Sequence, residues 1–378
     1  MKAVTHVRLV LEDRVLDNHT LIYGDRIAAL VPDEQLPAAG LEVTDGDGAY
    51  LSPGLIDLHI HGRQGADVMD GNRDSLQTIA ASVAAQGVTG FLGTTMTMAL
   101  PAIDRAVEAA RQWLEAPGPG AELLGLHLEG PFISPRYKGA QNEAHILAPD
   151  FDLVAPWLDV VRIVTLAPEA AGALEFIDRL RGKGVVAAIG HSAATCEEAL
   201  AAFDCGATHI THCFNAMSPL HHRAPGVVGA ALGWPFTAEL ICDDIHVNPV
   251  FYQGFLNIKG LDGAVAVTDC MQAGGLPDGA YTLGGQPVEV REGACRLADG
   301  TLAGSTLQMN QALKHLGRST DLSVPQLVRL GSLNPARILG LEGERGSLAP
   351  GKRADFFLHD ETFRVFRTVR GGVDIFQA

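Results

Sequence analysis

The segment from Thr208 to Gly226 gathers His212, His221, His222 and Arg223 around an Asn215-Ala216-Met217-Ser218 run. A surface loop has no packing reason to collect so many imidazoles beside a guanidinium. Imidazole suits a divalent metal, and guanidinium suits an anion held at two oxygens. The segment opens as a strand. With a period of two, Thr208, Ile210 and His212 share one face and His209 and Thr211 the other, so His212 is the expected ligand and His209 a packing residue. Asp57, His59 and His61 occupy alternate positions of another apolar stretch, and one strand face carries all three. Two imidazoles inside a barrel need a partner, which a metal provides; Asp57 is then expected to orient a ligand or close a hydrogen-bond network beneath it. Glu129 ends a further apolar stretch, where a carboxylate is costly unless it meets a cation, and His127 lies one step deeper, behind the ligands. His191 and Asp269 end two more. A polar cap explains any one of these alone. Together His59, His61, His191, His212, Glu129 and Asp269 suit one or two divalent ions, zinc or iron, with Asp269 free to move protons.

These residues need a scaffold that brings distant strand ends together. The chain has 378 residues, 47% hydrophobic and 19% charged, which is ample for a buried core. From Leu51 onward, apolar strands near 55–61, 88–95, 123–130, 161–167, 185–191, 208–214, 237–246 and 264–269 alternate with helices at 74–86, 101–114, 173–182, 196–205 and 249–257. That alternation predicts an α/β fold, a (β/α)8 TIM-like barrel whose strand C-terminal ends converge on one face. Strands at 6–12, 20–23 and 26–31, with a break at Asp17-Asn18, precede it; strands at 354–359 and 365–369 follow it. Residues 1–50 and 346–378 are therefore expected to form a small β-sandwich domain beside a barrel domain of 51–345, with a β-hairpin insert near 280–300 turning at Gly284-Gly285. A net charge of −16 argues against nucleic acid or an anionic membrane as partner, without excluding an anionic small molecule. The six cysteines form no CxxC pair, and neither a signal-peptide pattern nor a membrane-length apolar run is present, so a cytoplasmic protein with free thiols is expected.

The His59-x-His61 pair on the first barrel strand and Asp269 on the last resemble the amidohydrolase superfamily. The stretch Gly346-Ser347-Leu348-Ala349-Pro350-Gly351-Lys352-Arg353-Ala354-Asp355 is similar to the segment that returns such chains to their β-domain. His127-Leu128-Glu129-Gly130-Pro131-Phe132, Gly190-His191-Ser192, Thr211-His212-Cys213-Phe214-Asn215-Ala216-Met217-Ser218 and Val267-Thr268-Asp269 narrow the resemblance to the N-acetylglucosamine-6-phosphate deacetylases, over nearly the whole chain. The fourth strand carries no lysine of the kind other superfamily members carboxylate, and Glu129 stands in the bridging role instead. The resemblance implies one ion held by Glu129, His191 and His212, and a second by His59, His61, Glu129 and Asp269. It implies that Asp269 is catalytic, that Asn215, Ala216, Arg223 and His246 contact a sugar phosphate, and that Ala140, Gln141, Leu302, Ala303, Gly304 and Ser305 line the sugar pocket. It further implies a homodimer whose interface approaches the Arg223 loop, and an activity in amino-sugar catabolism or cell-wall sugar recycling: metal-dependent hydrolysis of the N-acetyl group of N-acetyl-D-glucosamine 6-phosphate to D-glucosamine 6-phosphate and acetate.

Two positions depart from that pattern. Gln141 stands where relatives carry a histidine that polarises the acetyl carbonyl, and Asp244 stands where glycine is usual, so its carboxylate is expected to point away from any phosphate. The competing expectations are deacetylation of N-acetylgalactosamine 6-phosphate or another phosphorylated acetamido sugar and, remotely, a non-catalytic scaffold on the same fold. The retention of every ligand disfavours the scaffold.

Overall fold

Eight parallel strands form the barrel: β1 (Leu55–Ile60), β2 (Val88–Thr95), β3 (Glu122–Glu129), β4 (Val161–Leu166), β5 (Val186–Ile189), β6 (Ala207–Ile210), β7 (Thr237–Ile241) and β8 (Ala264–Val267). The structure is a computed structural model and describes residues 1–36 and 39–378. Strands such as β2 and β8 are buried on both faces, which is why they read as nearly unbroken apolar runs. The helices between them bury one stripe each. In Leu100–Glu115 that stripe is Ile103, Ala106, Val107, Ala110 and Trp113, spaced by three and four residues. Cys196–Cys205 starts in a reciprocal cap between Thr195 and Glu198 and stops at Gly206, whose φ of 118° few other residues tolerate.

The barrel closes just beyond the end of β8. Asp269 N donates to His59 O at 2.8 Å, and His61 N donates to Cys270 O at 2.8 Å. The bonds that shut the barrel thus set Asp269 beside both β1 histidines. Strands β5 to β8 end earlier than the apolar pattern suggests, at Ile189, Ile210, Ile241 and Val267. His191, His212 and Asp269 follow with φ of 48°, 28° and 49°, left-handed conformations outside regular β geometry.

The chain ends build a second sheet. Lys2–Val10, Val15–Tyr23, Ile27–Pro32, Glu42–Asp45 and Tyr50–Pro53 join Phe356–His359, Val365–Arg370 and Val373–Gln377. Val4, Val7, Leu9, Leu21, Tyr23 and Phe356 form its separate apolar core. The break expected at Asp17-Asn18 does not occur. The strand runs through it, with Asn18 at φ 54° and shifted register against the first strand, because asparagine tolerates the left-handed bulge geometry. Arg345, buried, ties the sheet to the barrel by donating to Glu122 at 2.9 Å beside Asp355. The insert after β8 is three-stranded, Gly279–Leu283, Gln286–Arg291 and Ala294–Arg296, with Gly284 and Gly285 at φ 56° and 77° in the hairpin turn. Among the described residues no helix is long and apolar enough to cross a membrane.

Candidate active site

Glu129 is the hub of the barrel mouth. It is the last residue of β3, and Gly130 behind it adopts φ 82°, where a Cβ would strike Thr97 Oγ1 at 2.1 Å; only glycine lets the chain turn away there. Glu129 Oε1 lies 3.1 Å from His191 Nε2 and 3.0 Å from His212 Nε2, and those two nitrogens are 3.0 Å apart. His59 Nε2 is 3.4 Å from Oε1, and His61 Nε2 is 3.4 Å from Oε2. Asp269 Oδ1 closes the other side, 3.2 Å from His61 Nε2 and 3.5 Å from His59 Nε2. All six side chains are buried.

The second ring nitrogens fix what the first ones offer. His191 Nδ1 donates to Tyr137 O at 3.0 Å, His61 Nδ1 to Thr94 O at 3.2 Å, and His59 Nδ1 to Glu239 Oε2 at 3.0 Å. A carbonyl or carboxylate only accepts, so each neutral ring turns an Nε2 lone pair toward carboxylate oxygens. Lone pairs facing anions repel unless a cation sits among them. Among the described residues His59 Nε2 has no hydrogen-bond partner although it is buried, as expected of an atom reserved for something else. A divalent ion about 2.0–2.1 Å from tetrahedral ligands spaces them about 3.3 Å apart, close to the separations here. The donor set of nitrogen and oxygen suits zinc or iron. Two groups fit an ion: His59, His61 and Asp269, and Glu129, His191 and His212.

The electrostatics favour cations throughout. Burial alone disfavours the His61 imidazolium, yet its hydrogen bonds to the Asp269 and Glu129 carboxylates push the ring up to about 9. Burial likewise opposes ionisation of Asp269, but His59 and His61 outweigh it and hold the carboxyl below its ordinary value. His127 behaves differently. Burial and the neighbouring His59 take it down to about 3, so it stays neutral. Its Nδ1 donates to Leu58 O at 3.1 Å and its Nε2 accepts from Thr165 Oγ1 at 2.7 Å, which leaves no nitrogen for a metal. The close group of His59, His127 and Glu239 is therefore hydrogen-bonded support and not a third ion site. Asp57 accepts from Thr268 Oγ1 at 2.6 Å and from Thr268 N and His59 N, locking β1 to β8 from below.

The orientation of His212 corrects the period-two expectation. His209, not His212, points inward on β6, donating Nε2 to Glu239 Oε1 at 3.1 Å. Continued alternation would turn His212 outward; its positive φ swings it back to the mouth. His209 is thus no mere packing residue. Glu239, from β7, is the buried acid beside the cluster that the sequence reading missed; the signal available was a carboxylate inside the apolar run Thr237-Ala238-Glu239-Leu240-Ile241.

A cavity of about 490 Å³ opens above the cluster. Ala140, Gln141, Asn215, Ala216, His246, Leu302 and Gly304 line it, as do Arg136, Tyr137 and Arg296, which the sequence did not single out. Ala303 and Ser305 do not. Ala303 is buried beneath the wall, and Ser305 Oγ donates to Thr268 O at 2.6 Å, supporting the Asp269 turn. Arg223 is exposed outside its own chain's cavity, its Nη1 donating to His222 Nε2 at 2.6 Å. Gln141 accepts from Thr97 N at 2.7 Å through Oε1 and donates through Nε2 to Glu129, so its amide holds the central carboxylate and is not free for a substrate carbonyl. His246 is fixed by Asp243 Oδ2 at 2.6 Å. Asp244 turns away from the cavity to Arg318 at 3.0 Å and Tyr252 Oη at 3.1 Å, as expected of an acid near an anion site.

Comparison with known proteins adds an independent line. The model of the amidohydrolase family matches residues 50–373. The chain is similar to an N-acetylgalactosamine-6-phosphate deacetylase of Escherichia coli O157:H7, 41% identical and covering 96% of this chain and 97% of the relative. It is similar to an N-acetylglucosamine-6-phosphate deacetylase of Bacillus subtilis (strain 168), 38% identical over 98% of this chain and 96% of that one. In structure it is similar to a mutant N-acetyl-D-glucosamine-6-phosphate deacetylase of Mycobacterium smegmatis solved in complex with N-acetyl-D-glucosamine-6-phosphate, with a TM-score of 0.92, 33% identity and 99% of each chain covered.

Proposed function

The chain belongs to the amidohydrolase family, and from that membership we propose that it hydrolyses the N-acetyl group of N-acetyl-D-glucosamine 6-phosphate, releasing acetate and D-glucosamine 6-phosphate. The observation that carries this reading is the convergence of His59, His61, His191, His212 and Asp269 on Glu129 at the floor of a cavity walled by Asn215, Ala216 and His246. A solved relative, 33% identical, holds the same phosphorylated sugar. The galactosamine epimer is the competing substrate, because one relative at 41% identity is named for it. Acetate release across a panel of both epimers, with and without the 6-phosphate, tests the proposal. The gluco 6-phosphate is expected to turn over fastest; faster turnover of the galacto sugar transfers the assignment to it, and no acetate from any member overturns both.

A divalent ion bound at this site supplies Lewis acidity to the acetyl oxygen and acidifies the attacking water. Glu129, held in position by Gln141, would help to hold an ion with His191 and His212 and lies 3.4 Å from both His59 and His61. The Gln141 amide is committed to Glu129 and Thr97, so it would hold that carboxylate in place and not contact the substrate carbonyl. Asp269 takes the water's proton and returns it to the departing nitrogen, since an amine does not leave as an anion. Elemental analysis of freshly purified active protein is expected to find two divalent ions per chain. One equivalent with full activity removes the second site, and clearly less than one removes the metal mechanism.

Phosphate recognition rests in this reading on Arg223, helped by Asn215, Ala216 and His246. An Arg223 lying outside its own cavity suits a homodimer in which it serves the neighbouring subunit's substrate. Leu220 on that loop and Val250, Phe251 and Ile258 on the helix Val250–Lys259 are well exposed apolar side chains that a second copy would cover. Cytoplasmic action is consistent with six free cysteines, four of them buried.

A further inference from the structure

We propose that Glu239 is a positioning residue that keys both halves of the metal centre, orienting the ring of His59 in one and the loop that carries His212 in the other. The inference rests on the metal reading above. Glu239 sits at the middle of β7, fully buried, and among the described residues its carboxylate touches no cation side chain other than histidine. One oxygen, Oε2, accepts from His59 Nδ1 at 3.0 Å and from the backbone N of His212 at 2.9 Å. The other, Oε1, accepts from His209 Nε2 at 3.1 Å. His209 Nδ1 in turn meets Thr237 Oγ1 at 2.7 Å, so the carboxylate is braced from behind by β6 and by the start of its own strand.

Each contact has a separate consequence. The bond to His59 fixes the tautomer that leaves Nε2 as a lone pair, and an ionised acceptor makes that nitrogen a stronger ligand. The bond to His212 N holds a backbone at φ 28°, the turn that redirects this ring to Glu129. A single side chain therefore sets the aim of two ligands that come from β1 and from the loop after β6. Neutral glutamine keeps the volume of Glu239 but has only one accepting oxygen. With that oxygen kept on His59 and His212, its NH2 faces His209 Nε2, which the opposite tautomer of His209 accommodates. Glu239→Gln should thus fold while weakening the ligand set.

The test measures zinc affinity of metal-stripped protein by competition with a chromophoric chelator, alongside the melting temperature of the metal-free protein. Glu239→Gln is expected to weaken zinc binding about 10–100-fold with metal-free stability near that of the wild type. His209→Ala, which removes only the brace, is expected to weaken binding by less. Should Glu239→Gln fail to fold, the His209→Ala measurement alone decides. Unchanged affinity in whichever folded variants are measured overturns the proposal, whatever their stability. A wild-type protein that binds no zinc, iron or cobalt at all refutes the metal reading instead, which keeps the two failures distinct.

Discussion

Asp269→Asn is expected to lower kcat by about 10²–10⁴-fold, with substrate still bound and the ion at Glu129, His191 and His212 still present. Asp269 is held from three sides. Its N donates to His59 O at 2.8 Å and its O accepts from Ser305 N at 2.7 Å, so the backbone that places the carboxylate does not depend on the carboxylate itself. Asparagine keeps the shape and one accepting oxygen but cannot take a proton. The carboxylate lines the cavity within reach of His61 and His59, and those two rings hold it ionised against the opposing cost of burial. In the proposed reaction it would serve as a base before attack and an acid after it: a proton leaves the water, and a proton reaches the amine nitrogen as the C–N bond breaks. If Asp269 served only as a ligand, the lost activity would track lost metal. Turnover restored by adding zinc or iron back to Asp269→Asn would overturn the proton-carrying role.

The barrel and the ligand inventory are legible in the sequence for one physical reason. Strands buried on both faces read as apolar runs, and a histidine or acid ending such a run has no packing explanation. Asp57, His59 and His61 are legible because alternation holds while the strand lasts. Past the last ladder bond it fails: His212 reaches the site through a left-handed turn that period two assigns to the opposite face. Glu239 escapes for another reason. It meets His59 across 180 residues of sequence, and an acid within a strand reveals its partner only once the strands are ordered. Gln141 is visible as a departure, but its commitment to Glu129 depends on a loop whose path no local pattern specifies. Arg223 shows the converse limit. Its chemistry is readable, and its own chain does not bring it to the cavity.

That separation makes the second large effect a question of which subunit supplies the charge. Arg223→Ala is expected to cost ~2–4 kcal/mol in kcat/KM, chiefly through KM, as for a desolvated guanidinium–phosphate pair. Plain N-acetylglucosamine, having no phosphate to lose, should be turned over as before, so the variant no longer distinguishes the two sugars. A retained preference for the phosphorylated sugar would remove Arg223 from phosphate recognition and leave Arg136 or Arg296, which do line the cavity, as the cationic contacts. Mixing subunits separates the geometries. In a hybrid of Arg223→Ala with Asp269→Asn, a guanidinium that crosses the interface pairs the intact Asp269 of one chain with the intact Arg223 of the other, and one complete site forms. A guanidinium that folds back into its own cavity leaves each site with one defect. Recovered turnover on mixing the two weak variants establishes the shared site, and additive weakness excludes it.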